Sequence, residues 1–261
     1  MTATALITGA TSGIGLEFAR QLAARGCAVT LVARDLARLD AVAAQLRETY
    51  HVAVTILQAD LATAEGVEHV ESLIAGHQID VLVNNAGFGT RGPLARTAPE
   101  AQRAMVHLHV TATNRLTMAV LPGMVARGHG AIITVSSVAS YTTSANNVNY
   151  CATKAYQRVL MESLSLEVAG SGVHVQALCP GFTRTEFHDR AAMRMERIPA
   201  WLWLNAGDVV RASLAAMDAG GPSLVIPGRR WRAIVALIRH LPRRLLRRQA
   251  QSYQRTREES R

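Results

Sequence analysis

Thr8-Gly9-Ala10-Thr11-Ser12-Gly13-Ile14-Gly15 follows the apolar run Ala3–Thr8 and opens a helical pattern over residues 14–25. A strand that passes through glycines straight into a helix is the entrance to a dinucleotide-binding unit. Glycine permits the tight turn, and backbone N–H groups at the helix N-terminus can then approach a pyrophosphate. The spacing here is G-x-x-x-G-x-G instead of the commoner G-x-G-x-x-G. The turn makes Gly9, Thr11, Ser12, Gly13, Ile14 and Gly15 candidate cofactor-binding residues.

Outward from this turn, short apolar runs alternate with longer helical patterns. Strands are predicted at Ala3–Thr8, Ala28–Ala33, Val52–Gln58, Val81–Asn84, Ala131–Val135, Val173–Leu178 and Leu224–Ile226. Helices are predicted near 14–25, 36–49, 64–75, 99–127, 150–169 and 207–219. Strands that are apolar throughout and separated by helices belong to a parallel sheet covered on both faces. The expected fold is α/β, a single doubly wound Rossmann-type domain over residues 1–228 with a helical tail over 229–261.

The 261 residues suffice for one large domain, and 49% hydrophobic against 18% charged residues describes a globular core. No apolar run reaches the roughly 20 residues of a membrane span. The start lacks a basic segment followed by a long apolar one, so export is not expected. Cys27, Cys151 and Cys179 lie far apart with no metal-like pairing, which suits a reducing cytoplasm, and no metal is expected. The net charge of +9 resides in the tail, where 11 arginines face two glutamates, while the 17 basic and 17 acidic residues before it cancel. A neutral body argues against nucleic acid as a partner.

The ends of the next strands should choose the cofactor. A carboxylate after the second strand would bind the ribose of NAD, and an arginine would accept the 2′-phosphate of NADP. Val29–Ala33 is followed by Arg34, with Asp35 next, so NADP(H) is preferred over NAD(H), the alternative being an Arg34–Asp35 surface pair. Asp60-Leu61 closes the third strand, where a carboxylate can accept from an adenine amino group. Asn84-Asn85-Ala86-Gly87 closes the fourth, where small residues let a nucleotide lie against the sheet.

Tyr150-Cys-Ala-Thr-Lys154 places a phenol and an ammonium one helical turn apart. A nearby ammonium favours the phenolate, so the tyrosine is expected to exchange a proton near neutral pH. Of 28 basic residues, Lys154 is the only lysine. A bias toward arginine everywhere else spared this position, and a guanidinium cannot replace every function of an ammonium.

Together, T-G-x-x-x-G-I-G at 8–15, N-N-A-G at 84–87, Ser136-Ser137, Y-x-x-x-K at 150–154 and Pro180-Gly181 resemble the short-chain dehydrogenase/reductase family over residues 3–228. The resemblance implies a seven-stranded parallel sheet, NAD(P) binding and a Ser-Tyr-Lys catalytic set. It implies that Ser137, 13 residues before Tyr150, bonds the substrate oxygen, that Tyr150 donates the proton in reduction, and that Lys154 holds the nicotinamide ribose and lowers the tyrosine pKa. Pro180, Gly181 and Thr185 would lie on the nicotinamide side, with Asn85, Ala86 and Gly87 on the nucleotide.

One position departs from the family. His109 stands where an asparagine usually shapes the helix, so that a backbone carbonyl holds a water bridging to the lysine. A histidine there keeps the backbone service, acts as a titrating relay, or marks a dinucleotide-binding regulatory or scaffold protein that has lost turnover.

Residues 186–206 carry Phe187, Met193, Met195, Trp201 and Trp203, a lining for a lipophilic carbonyl or alcohol substrate or else a packing surface. In the tail, Trp231, Ile234, Ile238, Leu241 and Leu245 form an apolar stripe interrupted at Pro242, beside Arg239, Arg243, Arg244, Arg247 and Arg248. Such a helix lies on an anionic membrane surface, with Trp231 at the headgroups, or packs its stripe on the body or a sister subunit. The expected partners are a small carbonyl or alcohol compound, further copies of the chain, and that membrane surface.

Overall fold

The computed structural model describes residues 2–90, 92–186 and 198–240. Seven strands form one parallel sheet: β1 (Thr4–Thr8), β2 (Ala28–Ala33), β3 (Val54–Gln58), β4 (Val81–Asn84), β5 (Gly130–Val135), β6 (Val173–Leu178) and β7 (Leu224–Val225), in the order β3-β2-β1-β4-β5-β6-β7. β3 begins two residues later than the apolar run suggests. His51 ends the preceding helix at φ 55°, and the chain needs the intervening residues to turn into the sheet.

Alternation along the strands feeds two cores. Ala5, Ile7, Val29, Leu31, Val83 and Ile133 pack with α1 (Gly13–Ala24), α2 (Leu36–Tyr50) and a later helix over Ala206–Asp218. Leu6, Val32, Leu82, Ile132 and Val175 pack on the opposite side with α3 (Ala64–Gly76), α5 (Thr113–Arg127) and α6 (Val148–Glu167). A sheet buried on both faces explains why its strands are apolar throughout. Side chains cap the helices: Asp35 accepts from Arg38 N at 3.0 Å, Thr63 from Gly66 N at 3.1 Å and Asn205 from Gly207 N at 2.8 Å.

The helix expected unbroken over 99–127 is not uniform. α4 (Pro99–Val106) passes into a π segment (His107–Ala112) before α5 begins. β7 is the edge strand that ends the sheet beyond β6. There α7 (Ala206–Asp218) leads through β7 to α8 (Arg229–His240).

α8 packs against the turn Val138–Tyr141, with Trp231 and Val235 buried. Trp231, expected at lipid headgroups, is thus part of the body: its indole N–H donates to Leu202 O at 2.9 Å and its ring meets Phe182 at 5.6 Å. A stripe that finds apolar partners on its own domain gains nothing by leaving it. Leu241, Pro242, Leu245 and the arginines from 243 onward lie outside the described residues. No described helix is long and apolar enough to cross a membrane.

Candidate active site

The strand order reverses between β1 and β4, and in doubly wound sheets the crevice beyond such a switch holds the ligand. Thr8 organises it. Its hydroxyl donates to Val83 O at 3.2 Å and accepts from the N–H groups of Asn85 at 2.9 Å and Ala86 at 3.0 Å. Asn85 reciprocates, its Nδ2 donating to Thr8 O at 2.8 Å and Gly9 O at 3.2 Å. The glycine turn and the N-N-A-G stretch are therefore one bonded unit.

The glycines are required by space. Gly9 has φ +65°, and a Cβ on Gly15 would lie 2.3 Å from Gly9 O, too close for any side chain. A Cβ on Gly87 would meet His109 Nε2 at 2.8 Å. This cradle at the start of α1, floored by backbone and lacking a side-chain cap at Ser12, fits a dinucleotide pyrophosphate.

At the β2 edge, Arg34 is exposed and its carbonyl accepts from Gln58 Nε2 at 2.9 Å. Asp35 does not pair with it as the surface alternative had it. Its carboxylate caps α2 and sits 3.6 Å from Arg38, whose guanidinium also pairs with Glu186 at 3.0 Å. Arg38 is a second cation at this rim that the sequence analysis missed, although its place in the first turn of α2, four residues after Arg34, is the signal that could have found it. Asp60 uses Oδ1 to accept from Ala62 N at 3.0 Å, and Leu61 beside it is buried.

The reacting face lies between β5 and α6. Both serines have distinct tasks. Ser136 is buried, and its Oγ donates to Lys154 O at 2.7 Å, fastening α6 to the sheet. Ser137 is only half-buried, starts the turn over Val138–Tyr141 by accepting from Ala139 N at 3.1 Å, and bonds the Tyr150 hydroxyl. Tyr150 is half-buried, while Lys154 is buried behind it with Nζ 5.9 Å from the ring centre.

The expected acidification of Tyr150 by Lys154 is not what this arrangement produces. Burial pushes the phenol up to about 12, with the Ser137 hydrogen bond opposing. Burial also pushes the Lys154 amine down to about 7, the Cys179 thiol partly offsetting it. Desolvation by burial is the largest influence on both groups.

His109 lies on the π segment and is fully buried. Its Nε2 accepts from Phe88 N at 3.3 Å, so the proton sits on Nδ1, which donates to Thr153 Oγ1 at 3.0 Å. That hydroxyl in turn donates to Tyr150 O at 3.1 Å. Burial, then the Lys154 charge, holds the imidazole well below its usual range. A neutral ring engaged at both nitrogens braces the loop after β4 and the helix carrying Tyr150.

Beyond β6, the Pro180 carbonyl accepts from Val138 N at 3.0 Å, joining the loop after β6 to the Ser137 turn. Thr185 lies against Gly13, where a Cβ would meet its Cβ at 3.0 Å, so this loop closes onto the glycine turn. Gly181 lies beneath Trp231: a Cβ there would fall 2.0 Å from the indole. Phe182 contacts Trp203 at 5.9 Å as well as Trp231, which makes both tryptophans packing residues. Trp201 is 54% exposed. Phe187, Met193 and Met195 lie outside the described residues.

The family model for short chain dehydrogenases matches residues 3–195, the stretch holding the glycine turn, Ser137, Tyr150 and Lys154. The chain belongs to the short-chain dehydrogenase family. It is 31% identical over 186 residues to the very-long-chain 3-oxoacyl-CoA reductase of Homo sapiens, covering 70% of this chain and 60% of that protein. The chain thus spans about 60% of the length of that curated relative. A short-chain dehydrogenase from Sphingobium yanoikuyae solved with NADPH superposes with a TM-score of 0.83 at 37% identity, covering 92% of this chain and 96% of that one. The bulky-bulky ketone specific alcohol dehydrogenase from Comamonas testosteroni gives 0.78 at 32% identity, covering 92% and 95%. As a member of this family of oxidoreductases, the chain keeps the Ser-Tyr-Lys set in one place and supports it with Gln157 and Thr153, which the sequence analysis did not single out, and with Trp231, which it had placed at a membrane surface.

Proposed function

We propose that this short-chain dehydrogenase is NADP(H)-dependent and interconverts a lipophilic carbonyl compound and its alcohol, with Tyr150 as general acid and base. When bound, the nicotinamide exchanges a hydride with the carbonyl carbon. The observation that carries the reading is the Tyr150 hydroxyl, on a half-buried residue, bonded to the Ser137 hydroxyl and backed by the buried Lys154 amine. Ser137 orients the substrate oxygen and Tyr150 delivers a proton to it as reduction proceeds. A phenol held near 12 stays protonated at neutral pH, the state a proton donor needs.

Exposed Arg34, with Arg38 in the first turn of α2 and Asp35 committed to its cap, supports a 2′-phosphate at the β2 edge. Asp60 supports an adenine contact, Thr185 the nicotinamide carboxamide. The lipophilic substrate draws support from exposed Trp201 and from the relatives' names, which specify a very-long-chain acyl-CoA and bulky ketones. Val148, Val159 and Leu166 form one exposed stripe on α6, and Met118 and Val125 another on α5, which supports assembly with further copies. The exposed arginines of α8, Arg229, Arg232 and Arg239, are the surface we assign to anionic lipid.

The test is a screen of long-chain and bulky ketones and aldehydes for loss of NADPH absorbance, run beside the Tyr150→Phe variant. Turnover that the variant retains, or faster turnover with NADH, overturns the proposal.

A further inference from the structure

Behind the reacting face, Gln157 follows Lys154 on α6 by one turn and is 1% exposed. Its amide is used at both ends. Oε1 accepts from Lys154 Nζ at 2.9 Å. Nε2 donates to His109 O at 3.0 Å and to Thr113 Oγ1 at 3.1 Å. The orientation is fixed by its partners, because a flipped amide would turn its NH2 onto an ammonium and its oxygen onto a carbonyl. The acceptor at its far end comes from the π segment, where wider winding lets a side chain take a backbone carbonyl.

The ammonium has three donors and no acceptor. Val135 O takes one at 2.8 Å and Gln157 takes a second, so the amide fixes where the third is directed. The other titratable groups facing this amine are Tyr150, the neutral His109 on the π segment and the Cys179 thiol beyond β6. None is an anion at neutral pH, so the neutral acceptors carry the task of holding a buried positive charge. Donation from Nε2 polarises the amide and strengthens Oε1 as an acceptor.

We propose that Gln157 is a positioning residue whose amide bridges the π-segment carbonyl of His109 to the Lys154 ammonium, keeping that amine charged and in place for the reaction at Tyr150. The catalytic half of this inference rests on the oxidoreductase proposal above; the bridge itself does not. Acceptors favour the protonated amine, so deleting one lowers its pKa and substituting a carboxylate raises it.

Lys154 is the only lysine, so protein labelled with 13C at lysine Cε gives one titrating signal that needs no turnover. In the full chain, Gln157→Met should move that titration down by about one unit or more and Gln157→Glu should move it up. The two variants have nearly the shape of glutamine, and their opposite signs separate an electrostatic role from a loss of packing. The alkaline limb of kcat for carbonyl reduction should shift in the same two directions. A titration that stays put, or moves alike, in whichever variants fold overturns the bridge. A titration that moves while kcat keeps its wild-type pH profile overturns the positioning role. A wild type that reduces no carbonyl compound sinks the oxidoreductase proposal, while the titration still decides the bridge.

Discussion

The nucleotide crevice is held in two different ways on its two sides. Around the ends of β1 and β4, backbone and small residues do the holding: Thr8 and Asn85 lace the glycine turn to the N-N-A-G stretch, and added atoms have nowhere to go at Gly9, Gly15 or Gly87. Around β5, α6 and β6, side chains far apart in sequence hold one another: Gln157 reaches His109, His109 reaches Thr153, and Trp231 roofs Gly181. The first side is vulnerable to what a substitution adds; the second, Gly181 apart, is vulnerable to what it removes. The proton chemistry proposed above would sit on the second, where buried polar groups can be tuned.

The largest effect should come from the reacting face. Tyr150→Phe keeps the ring and its contact with His109 but has no proton to give. We expect turnover to fall by about 10²–10⁴-fold, with NADPH affinity little changed, read by steady-state kinetics and by fluorescence titration. Loss of cofactor binding instead would move Tyr150 from chemistry to structure.

Next comes the roof. Trp231→Ala should cost about 3–5 kcal/mol in denaturant unfolding, the usual range for a large buried aromatic. Gly181→Ala alone should also destabilise, since its Cβ would invade the indole, yet it should be nearly neutral in the Trp231→Ala background. Additive losses would break the contact between α8 and the cofactor loop.

The cradle gives a smaller effect. Arg34→Ala should weaken NADPH by about 10- to 100-fold and leave NADH almost unaffected, as loss of one charge-assisted contact predicts. If Arg34→Ala is silent and Arg38→Ala is not, the 2′-phosphate belongs to the second cation.

The smallest concerns His109. Its folded pKa lies below the unfolded value of about 6.5, so only the unfolded chain gains a proton between the two. Its contribution to stability is present above about pH 6.5 and is lost as pH falls toward the folded pKa, by at most about 1.4 kcal/mol per pH unit. His109→Asn should flatten that acid slope in urea melts at pH 5 to 7, with no ionisation near pH 6–7 removed from kcat. Loss of such an ionisation would make the ring a relay.

Much of this was legible because its causes are local. Glycine spacing, strand apolarity and the one-turn step from Tyr150 to Lys154 are all set within a few residues. So were the seven strands, within two residues at their ends. Partners across the fold were not legible. Gln157 meets the His109 carbonyl only because the chain winds as a π segment at residues 107–112, which no periodicity announces. The stripe on α8 was visible, but not the surface that covers it, since amphipathicity states that a face is buried and not against what. The tyrosine pKa failed for the same reason: spacing predicts a charge pair, whereas burial decides which way the phenol moves.

Trp231 also fixes when the site can exist during synthesis. A ribosome delivers the glycine turn first and α8 more than two hundred residues later. Until that helix emerges, Gly181 and Phe182 lack their roof and present apolar surface on the growing chain. The glycine turn is made early, but the far wall closes last, so the nascent chain must carry that exposed patch from the synthesis of Phe182 until Trp231 follows it.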